Sequence, residues 1–144
     1  MLPHLTTWTH TGHNEGIYGV DLINNGIGPA FIELFELKVD GKLVKGEGAE
    51  QIEKALKIIF PHYGYKSHQS YVAKGYAMAP KEKRPIVVVQ FTSTERPSPE
   101  EIEDAFNRTD LTIVYKSAYH QIFTLNTKEE KSNKQIYLAA ENSS

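Results

Sequence analysis

Short apolar runs of period two, turn signals between them and no regular strand–helix alternation predict a mainly β domain. The expected architecture is a sandwich or barrel carrying two short helical insertions, with an α+β arrangement as the alternative. The chain has 144 residues, which matches one domain at about 100–200 residues each. A domain of this size buries enough surface to fold without a disulfide or metal staple. The body is expected over residues 1–126, and 127–144 reads as a polar C-terminal tail apart from Ile136-Tyr137-Leu138.

The elements follow in order. In Ile17 to Asn24, Tyr18, Val20 and Leu22 share one strand face while Gly19 and Asp21 take the other. Asn24-Asn25-Gly26 marks a turn, and Gly28-Pro29 resets the chain before the next run. Between Ala30 and Val39 the alternation slips: Ile32 and Leu34 share a face, then Leu37 and Val39 continue it one residue out of phase. A β-bulge near Phe35 accounts for the slip. A helix is the rival, because Phe31, Leu34, Phe35 and Lys38 also fit helical spacing. Asp40-Gly41 is a hairpin signal directly afterwards and favours strand.

Ala49 to Phe60 is the first helix, with Ile52, Ala55, Leu56 and Ile59 on one stripe and Pro61 as its stop. The second starts at Ser98-Pro99-Glu100-Glu101, where Ser98 is the N-cap, Pro99 the first helical residue and Glu101 the partner of a capping box. Ile102, Ala105 and Phe106 form its apolar face. Further strands are expected at Tyr71 to Met78, Ile86 to Phe91, Leu111 to Tyr115 and Tyr119 to Leu125. The β-branched run Val87-Val88-Val89 points to a central strand.

Composition excludes several function classes. A net charge of -2 removes the electrostatic footprint of a general nucleic-acid binder. The absence of cysteine removes thiol nucleophiles, thiolate metal sites and disulfides. No stretch approaches the roughly 18 apolar residues of a spanning helix, and no signal peptide is visible at the N-terminus.

His10 and His13 form an H-x-x-H pair with His4 upstream, but three-residue spacing on a strand puts them on opposite faces. With only Glu15 at ligand spacing, no metal site is expected. No G-x-S-x-G elbow is present. Glu33/Glu36 and the Glu100, Glu101, Glu103, Asp104 group read as solvated charge, the latter complementing a helix dipole. Gly26-Ile27-Gly28 leads into a strand and so presents no helix N-terminus to a phosphate. No catalytic residue and no cofactor are expected.

One constellation stands above this background. Between Pro61 and Arg84, the cations Lys66, Lys74, Lys81, Lys83 and Arg84 face the single acid Glu82, for a local charge of +4. The same stretch holds His62, Tyr63, Tyr65, His68, Tyr71 and Tyr76. Basic and aromatic groups together can hold an anionic small molecule, a nucleotide or headgroup, by charge and stacking. His62, Tyr63, Tyr65, Lys66, His68, Lys74 and Arg84 are the candidate ligand residues. A solvated loop and hairpin with half-buried tyrosines is the competing reading. Glu95 to Asp110 carries the compensating -4.

Finally, Asn24-Asn25-Gly26-Ile27-Gly28-Pro29-Ala30 followed by Asp40-Gly41-Lys42 resembles the N-x-G-x-G-P-A…D-G-K pattern of small bacterial membrane-anchored proteins of uncharacterised function. Leu2-Pro3-His4-Leu5 is similar to the stretch that follows their transmembrane helix, and Tyr115 to Tyr119 to their late Y-x-S-x-Y strand. The matches scatter over about Leu2 to Leu125. The resemblance implies an immunoglobulin-like β-sandwich ectodomain, with an anchor helix upstream of Met1 and no catalytic residues to carry over. A lone N-terminal anchor with positive residues inside would place the domain in the periplasm at the inner membrane, the cytoplasmic face being the alternative. The function then expected is non-catalytic binding of a partner protein or envelope component. A ligand-sensing domain for an anionic small molecule is the alternative.

Overall fold

The computed structural model describes residues 1–12, 16–70, 72–92 and 94–130. His13, Glu15, Tyr71 and the 131–144 part of the tail, with Ile136-Tyr137-Leu138, lie outside the described residues. The fold is mainly β, in two antiparallel sheets. One sheet has four strands in the order β1-β2-β7-β5: β1 is Leu5–Gly12, β2 Ile17–Asn24, β5 Tyr65–His68 and β7 Lys83–Phe91. The second has five, in the order β4-β3-β8-β9: β3 is Ala30–Val39, β4 Lys42–Leu43, β8 Thr109–Lys116 and β9 Ile122–Asn126. The short β6, Ala77–Met78, pairs with the start of β3.

Alternation sends one face of each sheet into a shared core. Tyr18 and Leu22 from β2 and Val87, Val89 and Phe91 from β7 join Ile32, Phe35, Leu37 and Val39 from β3 and Leu111, Ile113 and Tyr115 from β8. The valine run occupies an interior strand as expected, with β7 lying between β2 and β5. Ile86 is unmatched where Val20 pairs with Val87 and Asp21 with Pro85, so a bulge turns Ile86 and Val87 inward together.

The Ala30 to Val39 segment is a strand, and its slip is a bulge at Glu33, earlier than the expected position near Phe35. Ile32 pairs with Tyr115 and Leu34 with Val114, leaving Glu33 as the extra residue. Phe35 therefore faces the core, and Leu34, expected to share a face with Ile32, faces water instead. A two-residue turn joins β3 to β4 with Asp40 at φ 53 and Gly41 at φ 79, the backbone a tight hairpin demands. Asp40 is also gripped by both arms of Arg108, at 2.9 and 2.7 Å. That bidentate hydrogen bond holds the Asp40 carboxyl below the usual carboxylate range.

Helix α1, Ala49–Ile59, buries Ile52, Ala55, Leu56 and Ile59 as its spacing predicts. Helix α2, Pro99–Asn107, starts at Ser98, whose hydroxyl accepts the Glu101 N–H at 3.1 Å. The Glu101 carboxylate accepts the Tyr63 hydroxyl at 2.5 Å, so the residue expected to complete a capping box ties the helix to the chain before β5. A further helical turn covers 127–130. Thr127 Oγ1 accepts the Leu111 N–H at 3.0 Å, which docks this turn on β8.

Two expected strands are shorter than predicted. Of Tyr71 to Met78 only Ala77 and Met78 pair, because Gly75 takes φ 93 and Tyr76 N–H closes a turn onto Ala73. Tyr119 to Leu125 begins pairing only at Ile122. The buried Ser117 hydroxyl accepts the N–H groups of Tyr119 and Gln121, and His120 adopts φ 64, so 117–121 is a turn. Conversely Tyr65–His68, inside the stretch that one reading made a solvated loop and hairpin, pairs along β7 as strand β5.

Polar ties join the two sheets at one end. Leu5 N–H in β1 donates to the Tyr115 hydroxyl in β8 at 3.2 Å, while the Tyr115 ring stacks on Phe123 at 5.5 Å. Burial pushes the Tyr115 phenol up. Exposed ion pairs such as Lys54–Glu50 are worth only about 0.3–0.5 kcal/mol each and do not decide the fold. Tyr115→Phe keeps the ring stack but strands the buried Leu5 N–H, so urea unfolding should report a loss of about 1–3 kcal/mol.

Candidate functional site

The residues expected to gather around an anion are dispersed by the register of the first sheet. On β5, Tyr65 and Ser67 are half-buried, whereas Lys66 and His68 are exposed on the opposite face. Lys66 pairs with Gln90 and His68 with Val88. Arg84 instead sits opposite Leu22, whose side chain is fully buried, and so lies on the inner phase of β7. Of the candidate ligand residues, the structure keeps Lys66 and His68 side by side and turns Arg84 to the other face.

The aromatic members have structural partners. Tyr63 and Tyr65 pack edge-on against Phe91, with ring centroids 6.1 and 6.4 Å away. Tyr18 and Phe60 complete that cluster at 5.8 and 5.1 Å. These offset rings are a core arrangement, worth about 0.5–1.5 kcal/mol per pair beyond burial. Tyr76 donates to Glu82 and accepts from Arg84 at 2.7 Å, while the Arg84 guanidinium lies 4.8 Å from its ring centre. Arg84, its side chain 40% exposed, thus meets a charge partner in Glu82 at 3.9 Å and an aromatic face in Tyr76. His62 and Lys74 are exposed in the turns that precede β5 and β6.

Lysines do converge elsewhere. Lys42, Lys45, Lys54 and Lys57 line a groove between β4 and α1, beside exposed Leu43 and Ile58. Lys54 is engaged there by Glu50 at 3.0 Å and by the Lys45 carbonyl at 3.0 Å. In the sequence these lysines are interleaved with Glu47, Glu50 and Glu53, so no local charge run announces them.

On the outer face of the first sheet, His10 lies across Gly19, its register partner. A Cβ at Gly19 would sit 2.6 Å from the imidazole, so a larger residue there would displace the ring. The His10 Nε2 is 3.5 Å from the buried Asp21 carboxylate, and the exposed Trp8 pairs with Asp21 across the strands. The imidazole caps a carboxylate that burial would otherwise leave costly. Among the described residues no group of three or more His, Cys, Asp or Glu side chains is placed to hold a metal ion.

A partly open concavity lies between the sheets. A cavity of about 180 Å³ is bounded by Val20, Ile86 and Val87 on one side and Phe35, Leu37 and Leu111 on the other, with α1 closing it. Its rim carries Thr7, Thr9, Thr109, Thr127 and Glu130. Thr7 and Thr9 continue the inward phase of the buried Leu5, and their small side chains leave the space that larger residues would fill. The cavity's walls come from distant segments, and the alternating threonines of Thr6-Thr7-Trp8-Thr9 were the one local signal.

The Tyr63–Glu101 tie gives a titration test. Ionising Tyr63 would place a phenolate against the Glu101 carboxylate, so the hydrogen bond raises the Tyr63 pKa. Its contribution is therefore complete below the ordinary phenol value of about 10 and is lost as pH rises through the raised one. Glu101→Gln should bring the Tyr63 transition in an ultraviolet titration back toward that ordinary value. Comparison of the chain with protein-family models, curated proteins and solved structures finds no match in any of the three.

Proposed function

We propose that this chain is a non-catalytic binding module, an immunoglobulin-like β-sandwich that recognises a partner protein or envelope component. Strand order supports the fold: β1-β2-β7-β5 and β4-β3-β8-β9 correspond to the A-B-E-D and C′-C-F-G sheets of that architecture. In such domains, recognition is commonly carried by loops clustered at one end.

The observation that carries the reading is an apolar surface at that end. Ile27 in the β2–β3 connection is 61% exposed, and Tyr119 and Ile122 at the β8–β9 turn are 70% and 69% exposed. Phe31, Lys116 and Ile122 form one row across β3, β8 and β9, while Ile27 N–H bonds to the carbonyl of the exposed Leu2. Large apolar side chains gathered on a surface in this way mark an interaction site. Leu2, Ile27, Phe31, Tyr119 and Ile122 are the residues assigned to it.

In its full-length form the protein is proposed to be anchored in a bacterial inner membrane by a helix upstream of Met1, with the domain in the periplasm. The resemblance of the N-x-G-x-G-P-A block supports this placement. Among the described residues no helix is long and apolar enough to cross a membrane.

A photo-crosslinking residue at Tyr119 in the cell should yield a discrete protein or envelope adduct. The paired substitutions Ile27→Asp and Ile122→Asp should abolish it while moving stability by no more than about 1 kcal/mol, since both positions are exposed. The same probe at Trp8, on the outer face of the first sheet, should give no such adduct. Equal adducts from Tyr119 and Trp8, or an adduct indifferent to the two aspartates, would contradict the assignment.

A further inference from the structure

We infer that the groove between β4 and α1 docks an acidic peptide segment of a partner protein, one that carries carboxylates on either side of an apolar residue. The ten residues of β3 span roughly 33 Å. The groove lies at the Val39 end of that strand, where β4 pairs, and Ile27 lies beyond the other end. The groove is therefore separate from the proposed apolar surface, and the inference does not depend on it.

The lining selects an anion. Lys42 and Lys45 stand on one wall, Lys54 and Lys57 on the other. Asp40 is the single acid among the lining residues, and Arg108 already holds both of its oxygens. Glu50 compensates Lys54 at 3.0 Å. Among the described residues, no carboxylate lies within 4.0 Å of the Lys42, Lys45 or Lys57 ammonium. The walls are also held in place. Gln51, buried on α1, donates to the Gly46 carbonyl at 2.6 Å, and Lys54 Nζ reaches across to the Lys45 carbonyl at 3.0 Å. Val44 N–H bonds to the Leu37 carbonyl at 2.9 Å. A preformed groove spends little binding energy on ordering itself.

Two aliphatic side chains supply the apolar seat. Leu43 and Ile58 are 52% and 46% exposed beside the lysines. Ile58 follows Lys54 by four residues and shares its face of α1, away from the buried stripe of Ile52, Ala55, Leu56 and Ile59. An apolar residue seated on this pair leaves flanking carboxylates beside the ammonium groups, which fixes register and speeds encounter. The groove measures about 610 Å³, a volume suited to a short stretch of chain. A flat bilayer would rest on its rims and leave the floor unfilled. No aromatic ring lines it, so it lacks the stacking platform that single-stranded nucleic acids use.

The test uses the full chain and a fluorescent peptide of glutamate pairs separated by leucines, beside one version with glutamine for glutamate and another with serine for leucine. Anisotropy should show saturable binding of the first peptide, at least about tenfold weaker for the glutamine version and at least about threefold weaker for the serine version. Amide NMR shifts should map it to residues 39–45 and 54–58. Raising salt from about 0.1 M to about 1 M cuts the screening length from about 10 to about 3 Å and should weaken binding. Lys45→Glu with Lys57→Glu should weaken it at least about tenfold. Lys83→Glu with Lys128→Glu, the same charge change at exposed positions outside the groove, should alter it less than about threefold. The inference is overturned if the acidic peptide does not saturate, if its shifts fall outside the groove, or if the two double variants weaken it equally. It is overturned as well if an oligothymidylate or phosphatidylglycerol vesicles shift the groove amides as strongly as the peptide. The shift map is read on the unaltered protein, so it decides the matter even if a variant fails to fold.

Discussion

A single buried amide joins the two sheets. Asn24, 0% exposed at the end of β2, sends its Nδ2 toward the carbonyls of Gly28 at 2.9 Å, Ala79 at 3.2 Å and Met78 at 3.3 Å. Its Oδ1 accepts the N–H groups of Gly26 at 3.0 Å and His4 at 3.1 Å. Backbone bonds from Asn24 N–H to Glu82 and from Lys81 N–H to Asn24 close the joint. Taking an amide out of water costs several kcal/mol unless its groups are paired, so the side chain is tolerable there only because both ends are satisfied. It thereby ties the N-terminal segment, the β2–β3 connection and β6 together. The connection also needs Gly26, since a Cβ there would come within 2.3 Å of the Leu2 carbonyl oxygen.

This joint accounts for how the rest of the molecule is divided. The end near Asn24 is held by hydrogen bonds, including the Leu5–Tyr115 tie, and carries Ile27, Tyr119 and Ile122 outward. Elsewhere rings pack the first sheet against the end of α1 and the turn after it, with Phe91 touching Tyr18, Phe60, Tyr63 and Tyr65. The cavity lies between the inner faces, where β1 contributes threonines and β7 bulges at Ile86.

Much of the architecture was legible in the sequence, for reasons that are local. Period-two burial marks β8, the Asp40-Gly41 hairpin needs only two residues, and the α1 stripe and the Ser98 cap of α2 are short-range patterns. What escaped depends on partners far along the chain. Tyr-Lys-Ser-His carries no alternating apolar signature, yet pairs with β7 because that strand offers a free edge. Asn24 reads as a turn residue beside Asn25-Gly26, and its burial is set by carbonyls more than fifty positions away. The candidate anion residues shared a stretch of sequence, but strand alternation put Lys66 and Arg84 on different faces and core packing claimed Tyr63 and Tyr65. Ser117 and Tyr115, part of the late motif, turn out to hold a turn and a tie between sheets.

The most direct test of the joint is urea unfolding of Asn24→Asp beside Asn25→Asp. Aspartate at 24 keeps an acceptor for His4 and Gly26 but removes every donor to the Gly28, Met78 and Ala79 carbonyls and points a carboxylate at them. Asn25 makes one exposed side-chain bond, to Thr6. The account predicts a loss of at least about 3 kcal/mol at position 24 and less than about 1 kcal/mol at position 25. Equal and small losses at both would contradict it.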